Sequence, residues 1–153
     1  IEETGEIRQR FAFELVCEPD TNLVCFLCIP VVSNGEEVPV RDPRFDLAAI
    51  NDLNHKIYLR STIKKSPRKR RGPYSQEYFV SRTSFTAEQY SAESVRELLN
   101  KYGFTENEYK RHGIFVLRST VMNPWHHLAE QHGKNYLYGF LTNLHKSARQ
   151  ILN

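Results

Sequence analysis

Ten consecutive residues, Leu23 to Val32, carry no charged side chain and are dense in Val, Ile, Leu, Phe and Cys. A membrane-crossing helix requires roughly 18–20 apolar residues, so this run is too short to be one, and Pro30 interrupts it. Being apolar on both faces and rich in strand formers, it predicts the central strand of a sheet. A chain built on such a strand has to supply neighbours for its edges.

The first neighbour precedes it. From Arg10 to Glu18 the residues alternate, with Phe11, Phe13, Leu15 and Cys17 on one side and Glu14 and Glu18 on the other. That period of two predicts a half-buried strand. Pro19-Asp20-Thr21-Asn22 is turn chemistry, so the two strands form a hairpin. Ser33-Asn34-Gly35 turns the chain again toward a short edge piece at Val38-Pro39-Val40. Asp42-Pro43 offers a helix cap and a first-turn proline, with Phe45, Leu47, Ile50 and Leu53 along one side of a short helix. Alternation of Ile57 and Leu59 against Tyr58 and Arg60 predicts a strand over Lys56–Ile63, and Glu77–Phe85 reads as the strand that pairs back with it.

Helices gather late. Val95, Leu98, Leu99 and Tyr102 form a stripe that Gly103 stops. Thr105-Glu106-Asn107-Glu108 carries the spacing of a capping box and opens a second helix ending at Gly113. Ile114–Met122 is a further strand. In the last segment Leu137, Phe140, Leu141, Leu144, Ala148, Ile151 and Leu152 fall at three- and four-residue intervals along one long helix. Its stripe predicts core packing, with Tyr136, Tyr138 and Phe140 as an alternative dimer seam. The expectation is a single α+β domain over residues 1–153, cut from a longer protein. It would have an antiparallel sheet of about five strands backed by C-terminal helices.

Charge is distributed unevenly. Residues 1–52 hold four Lys and Arg against eleven Asp and Glu, whereas residues 53–153 hold seventeen against seven. The excess is concentrated in Arg60–Arg71, which has seven basic residues, and no acidic residue occurs between Leu53 and Gln76. An exposed loop at Lys64–Pro73, set between two strands, can bring its cations to consecutive phosphates and release their counterions. Arg60, Lys64, Lys65, Arg68, Lys69, Arg70, Arg71 and Arg82 are the phosphate candidates, and Tyr74 and Tyr78, with Tyr58, the base-stacking candidates. The expected function is therefore a non-enzymatic domain binding DNA or RNA, located in the nucleus. In the alternative, the basic run is a nuclear localisation signal on a protein-interaction or dimerisation module, meeting its partner through the last helix. Neither reading involves a membrane.

Other chemistry is sparse. Three cysteines, Cys17, Cys25 and Cys28, lie in apolar sequence, which favours a reducing, intracellular setting over a disulfide framework. Cys25 and Cys28 are three apart on a strand, so their thiols should diverge rather than share a zinc ion. His126, His127, Glu130 and His132 form the densest titratable cluster and are the weak metal candidates. Asn123-Pro124-Trp125-His126-His127 resembles the Asn-Pro-x-His turn of the zinc-dependent HNH nucleases. That family places cysteine ligands close by and this chain has none after Cys28, so no metal is expected. No Gly-rich phosphate loop, nucleophile elbow or paired-carboxylate motif is present, and no cofactor or catalytic residue is expected.

Overall fold

The structure, a computed structural model, describes residues 9–32, 40–62, 78–120 and 126–152, and of His126 and His127 the backbone alone. Its centre is the ten-residue apolar run, which forms strand β2 (Leu23–Val32). Strand β1 (Arg10–Leu15) pairs antiparallel along one edge, from Arg10 opposite Val31 to Leu15 opposite Phe26. The other edge is shared. β5 (Ile114–Thr120) takes its first part, from Leu23 opposite Thr120 to Phe26 opposite Leu117. The two-residue β3 (Val40–Arg41) takes its end. β4 (Ser81–Phe85) lies outside β5, so the order across the sheet is β1-β2-β5-β4 with β3 beside β2. The α+β expectation of an antiparallel five-stranded sheet with helices is what the structure shows.

Between the stretches held by β5 and by β3, one edge of β2 has no strand beside it among the described residues. Continuing the register past Phe26 and Leu117 would set Leu27 opposite Val116 and Cys28 opposite Phe115. Helix α1 (Leu47–Arg60) takes over there instead. The Asn54 side chain accepts from the Cys28 N–H at 2.8 Å and donates to the Cys28 carbonyl at 2.9 Å. One turn earlier Asn51 accepts from the Phe115 N–H at 2.9 Å and donates to the Gly113 carbonyl at 3.0 Å. Each amide serves as a stand-in for a missing strand. Buried backbone groups that lose a ladder partner require such replacements.

These two asparagines mark where α1 crosses between the faces of the sheet. Ahead of them, Leu47 and Ile50 join Leu27, Ile29, Ile114 and Val116 from the sheet. That core is completed by helix α2 (Arg96–Tyr102) and helix α3 (Glu106–His112) through Leu98, Leu99, Tyr102 and Tyr109. From Leu53 on, Leu53 and Ile57 join Phe26, Cys28 and Leu117 on the opposite face. There the cover is helix α5 (Tyr136–Leu152), through Leu144 and Ala148. The short α4 (His126–Gln131) precedes it.

The strand expected over Lys56–Ile63 is therefore corrected: Lys56 to Arg60 are the last turn of α1. Ile57 continues the Leu47, Ile50, Leu53 spacing and is buried, while Leu59, which the alternating pattern placed inside, stands half exposed. The segment Lys64–Pro73 consequently follows a helix and precedes β4, instead of joining two paired strands; it lies outside the described residues. β4 begins at Ser81 and pairs with β5. The cap of α1 is Asp46, whose side chain accepts from Ala49, and not Asp42.

Asp42 is buried instead. Its carboxylate receives the Arg44 backbone N–H at 3.0 Å and the guanidinium at 2.6 Å. Hydrogen bonding from the Arg44 side chain is the main reason that its pKa falls from 3.8 to about 2. A carboxylate with a depressed folded pKa stabilises the fold above its unfolded value and loses that contribution as acid protonates it. The chain is expected to lose stability between about pH 4 and pH 2, and Asp42→Asn to flatten this limb of the unfolding midpoint against pH. An unchanged acid limb in the variant assigns it to other carboxylates.

Candidate functional site

The helix ends are fixed by local chemistry. Thr105 and Glu108 form the expected capping box, with Thr105 Oγ1 accepting from the Glu108 N–H and Glu108 accepting from the Thr105 N–H at 2.8 Å. The second Glu108 oxygen accepts from the Leu47 N–H at 3.3 Å, so one carboxylate serves the starts of α3 and α1. These bonds, led by the Thr105 N–H, hold Glu108 below the ordinary glutamate pKa. Arg41 donates to the Tyr102 and Gly103 carbonyls at the end of α2 and lies over the Phe104 ring.

Among the described residues, Tyr109 and Cys28 are buried titratable groups held by the fold's own contacts. The Tyr109 hydroxyl donates to the Tyr90 carbonyl at 2.7 Å, and burial raises its pKa. Burial also pushes the Cys28 thiol up, making it a poor nucleophile. Cys25 and Cys28 stand on opposite faces: Cys25 borders the core under α2 and α3, and Cys28 lies in the core under α5. All three cysteines are unpaired. No group of three or more His, Cys, Asp or Glu converges among the described residues. The side chains of His126 and His127 lie outside them, while Glu130 and His132 are exposed on and just after α4.

Of the residues assigned to phosphates and bases, Lys64, Lys65, Arg68, Lys69, Arg70, Arg71 and Tyr74 lie outside the described residues. The other four meet the protein itself, Tyr58 through the rings of His55 and Phe115. Arg60, at the end of α1, donates to Gln150 Oε1 of α5 at 2.6 Å. Tyr78 lies against α5: its ring centroid is 6.1 Å from that of Phe140, and its hydroxyl occupies the space a Cβ on Gly139 would need. Arg82 lies over the rings of Tyr58 and Phe115, 6.0 and 5.8 Å from their centroids.

The grooves among the described residues include two shallow ones. One, about 530 Å³, lies between the end of the β1–β2 hairpin and the segment leading into α2, beside Cys17, Phe85, Tyr90 and Val95. The other, about 450 Å³, runs along α5 and is lined by Thr142, His145, Lys146, Arg149 and Gln150. The stripe foreseen on α5 divides. Leu144 and Ala148 are buried and Phe140, Ile151 and Leu152 flank them, but Leu137 and Leu141 are 50% and 49% exposed, and Tyr138 is 71% exposed. No helix among the described residues is long and apolar enough to cross a membrane.

The described residues thus form an α+β domain that carries exposed apolar side chains along its last helix. Residues 6–146 match the family model described as "Tyrosine decarboxylase, C-terminal", and the chain belongs to that family. Over 81 residues it is 35% identical to an L-tyrosine decarboxylase of Enterococcus faecalis (strain ATCC 700802 / V583), covering 52% of this chain and 12% of that protein. The L-tyrosine decarboxylase of Enterococcus faecium is 32% identical over 81 residues, with the same coverage. The match thus spans only about an eighth of these relatives' length.

Family membership overturns the expected nucleic-acid-binding function and the nuclear role attached to it, because the family is that of an enzyme's C-terminal part. Charge density alone misled: a run of Lys and Arg costs nothing on a solvated surface, whatever it meets. The grounds for assigning phosphates to Arg60 and Arg82, and base stacking to Tyr58 and Tyr78, fall with that function.

Proposed function

We propose that this domain is the C-terminal part of a decarboxylase acting on L-tyrosine, in which it serves as an accessory body rather than as the seat of the reaction. The family match over residues 6–146 carries this reading, and the two L-tyrosine decarboxylase relatives supply the substrate. Removing a carboxylate from an amino acid leaves an electron pair on the α-carbon, which needs an electron sink and a positioned proton donor. Three buried titratable groups are engaged elsewhere: Asp42 with Arg44, Tyr109 with the Tyr90 carbonyl, Cys28 in the core. That division of labour supports an accessory role. The exposed apolar residues of α5 support a protein contact, and the unpaired thiols suit a reducing compartment.

CO2 release from L-tyrosine, measured on the complete protein and on these 153 residues alone, tests the proposal. The complete protein is expected to turn over L-tyrosine and the isolated domain not to. Turnover by the isolated domain would refute the accessory role. A complete protein that ignores L-tyrosine but decarboxylates another amino acid would refute the substrate.

A further inference from the structure

From His132 to Asn153 the chain has no Asp or Glu, while Lys134, Lys146 and Arg149 are basic. On α5 the residues Tyr138, Thr142 and Arg149 recur along one strip beside the buried Leu144 and Ala148, with His145 between them, its ring centroid 4.8 Å from that of Phe11 on β1. The strip begins apolar, where Tyr138 stands beside the exposed Leu141, and ends cationic, where Lys146 and Arg149 flank the groove. Neither of these cations makes an ion pair with a described residue, although elsewhere Lys56, Arg96, Lys101 and Lys110 all do.

An exposed apolar patch continuous with uncompensated charge of one sign is the composition of a docking face, its aromatic and aliphatic residues supplying burial and its cations register. We infer that this strip of α5 docks against an acidic amphipathic helix in the remainder of the same decarboxylase polypeptide. The inference rests on the function proposed above. The occupant follows from two observations. First, the relatives carry most of their length outside the matched segment, so a body of that size is at hand. Second, a second copy of α5 brings no carboxylate, so symmetric pairing would cover Lys146 and Arg149 unneutralised, a costly arrangement. An acidic helix presenting apolar residues and then Asp or Glu satisfies both ends of the strip.

Zero-length cross-linking of the complete protein tests this. A carbodiimide joins a lysine amine to a neighbouring carboxylate as an amide, the reagent taking up the water that is lost. Lys110 and Glu106, 3.5 Å apart on α3, are the internal control. Lys146 is expected to link to an Asp or Glu outside residues 1–153, in material of single-chain mass. Two results would overturn the inference: a Lys146 link found only at twice that mass, or no Lys146 link where Lys110–Glu106 has formed. Lys146→Glu with Arg149→Glu, both exposed and therefore compatible with folding, is expected to remove the link and speed amide exchange in α5 roughly tenfold. Unchanged exchange would also sink it. Both readouts are independent of turnover, so failure of the substrate assignment would leave them interpretable.

Discussion

Replacing Asn54 with leucine is expected to cost the domain about 2–6 kcal/mol, because two buried backbone groups lose their partners at about 1–3 kcal/mol each. Asn54 accepts from the Cys28 N–H and donates to the Cys28 carbonyl, and it also reaches the Ile50 carbonyl at 2.9 Å. Leucine is close in volume, so the loss reports the unpaired peptide and not a cavity. Since a domain has only about 5–15 kcal/mol in hand, urea unfolding should show a large drop in midpoint, or no folded state. Asn54→Asp keeps the acceptor, loses the donor and buries a carboxylate. It should be worse than leucine at neutral pH and partly relieved in acid, where the protonated carboxyl can donate again. Asn51→Leu, whose partners are only partly buried, should cost less. A loss under about 1 kcal/mol for Asn54→Leu would mean that β2 closes its own gap.

Much of the sheet was legible because its signals are local. The apolar run of β2, the turn after β1, the stop of α2 at Gly103 and the Thr105–Glu108 box each depend on a few adjacent residues, and each is found. Lys56–Ile63 was misread for the converse reason. Ile57 and Leu59 alternate with Tyr58 and Arg60 as a strand would, although Ile57 also stands four residues after Leu53 and continues the helical spacing. Asn54 is polar because it faces the edge of a strand 26 residues away, a tertiary requirement that no window along the chain contains. A second asparagine three residues earlier was the available sign: Asn51 and Asn54 share a helix face that otherwise carries Leu47 and Ile50 into the core.

The function was less legible. Basic residues declare their charge in sequence but not its partner. Arg60 meets Gln150 and Arg82 meets two rings of its own domain, contacts that composition cannot distinguish from phosphate binding. The last helix shows the same limit in milder form. Spacing identified its apolar residues, yet Leu137 and Leu141 are left half exposed while Leu144 and Ala148 are covered.

Gly113→Ala is the second large effect expected. Gly113 joins α3 to β5 at φ 60°, ψ −173°, a region essentially restricted to glycine, where other residues are strained by about 1–3 kcal/mol. A Cβ there would also come within 2.7 Å of the Phe85 carbonyl oxygen. That oxygen is not free to retreat, because Phe85 is paired opposite Ile114 in the β4–β5 ladder. Nor is Gly113, whose N–H closes α3 on the Tyr109 carbonyl at 2.8 Å and whose carbonyl receives the Asn51 amide. Strain and contact together should cost about 2–4 kcal/mol in thermal or urea unfolding. Gly103→Ala provides the comparison. Gly103 also has positive φ, 64°, but with ψ 34° it lies in the left-handed helical region, and the nearest atom to an added Cβ, Arg41 Nη2 at 3.6 Å, is at ordinary van der Waals distance. Its alanine should cost only about 1–2 kcal/mol. Equal losses at the two sites would show that the approach of β4 to Gly113 contributes nothing, and that the α3–β5 junction can shift where the ladder and Asn51 are argued here to hold it.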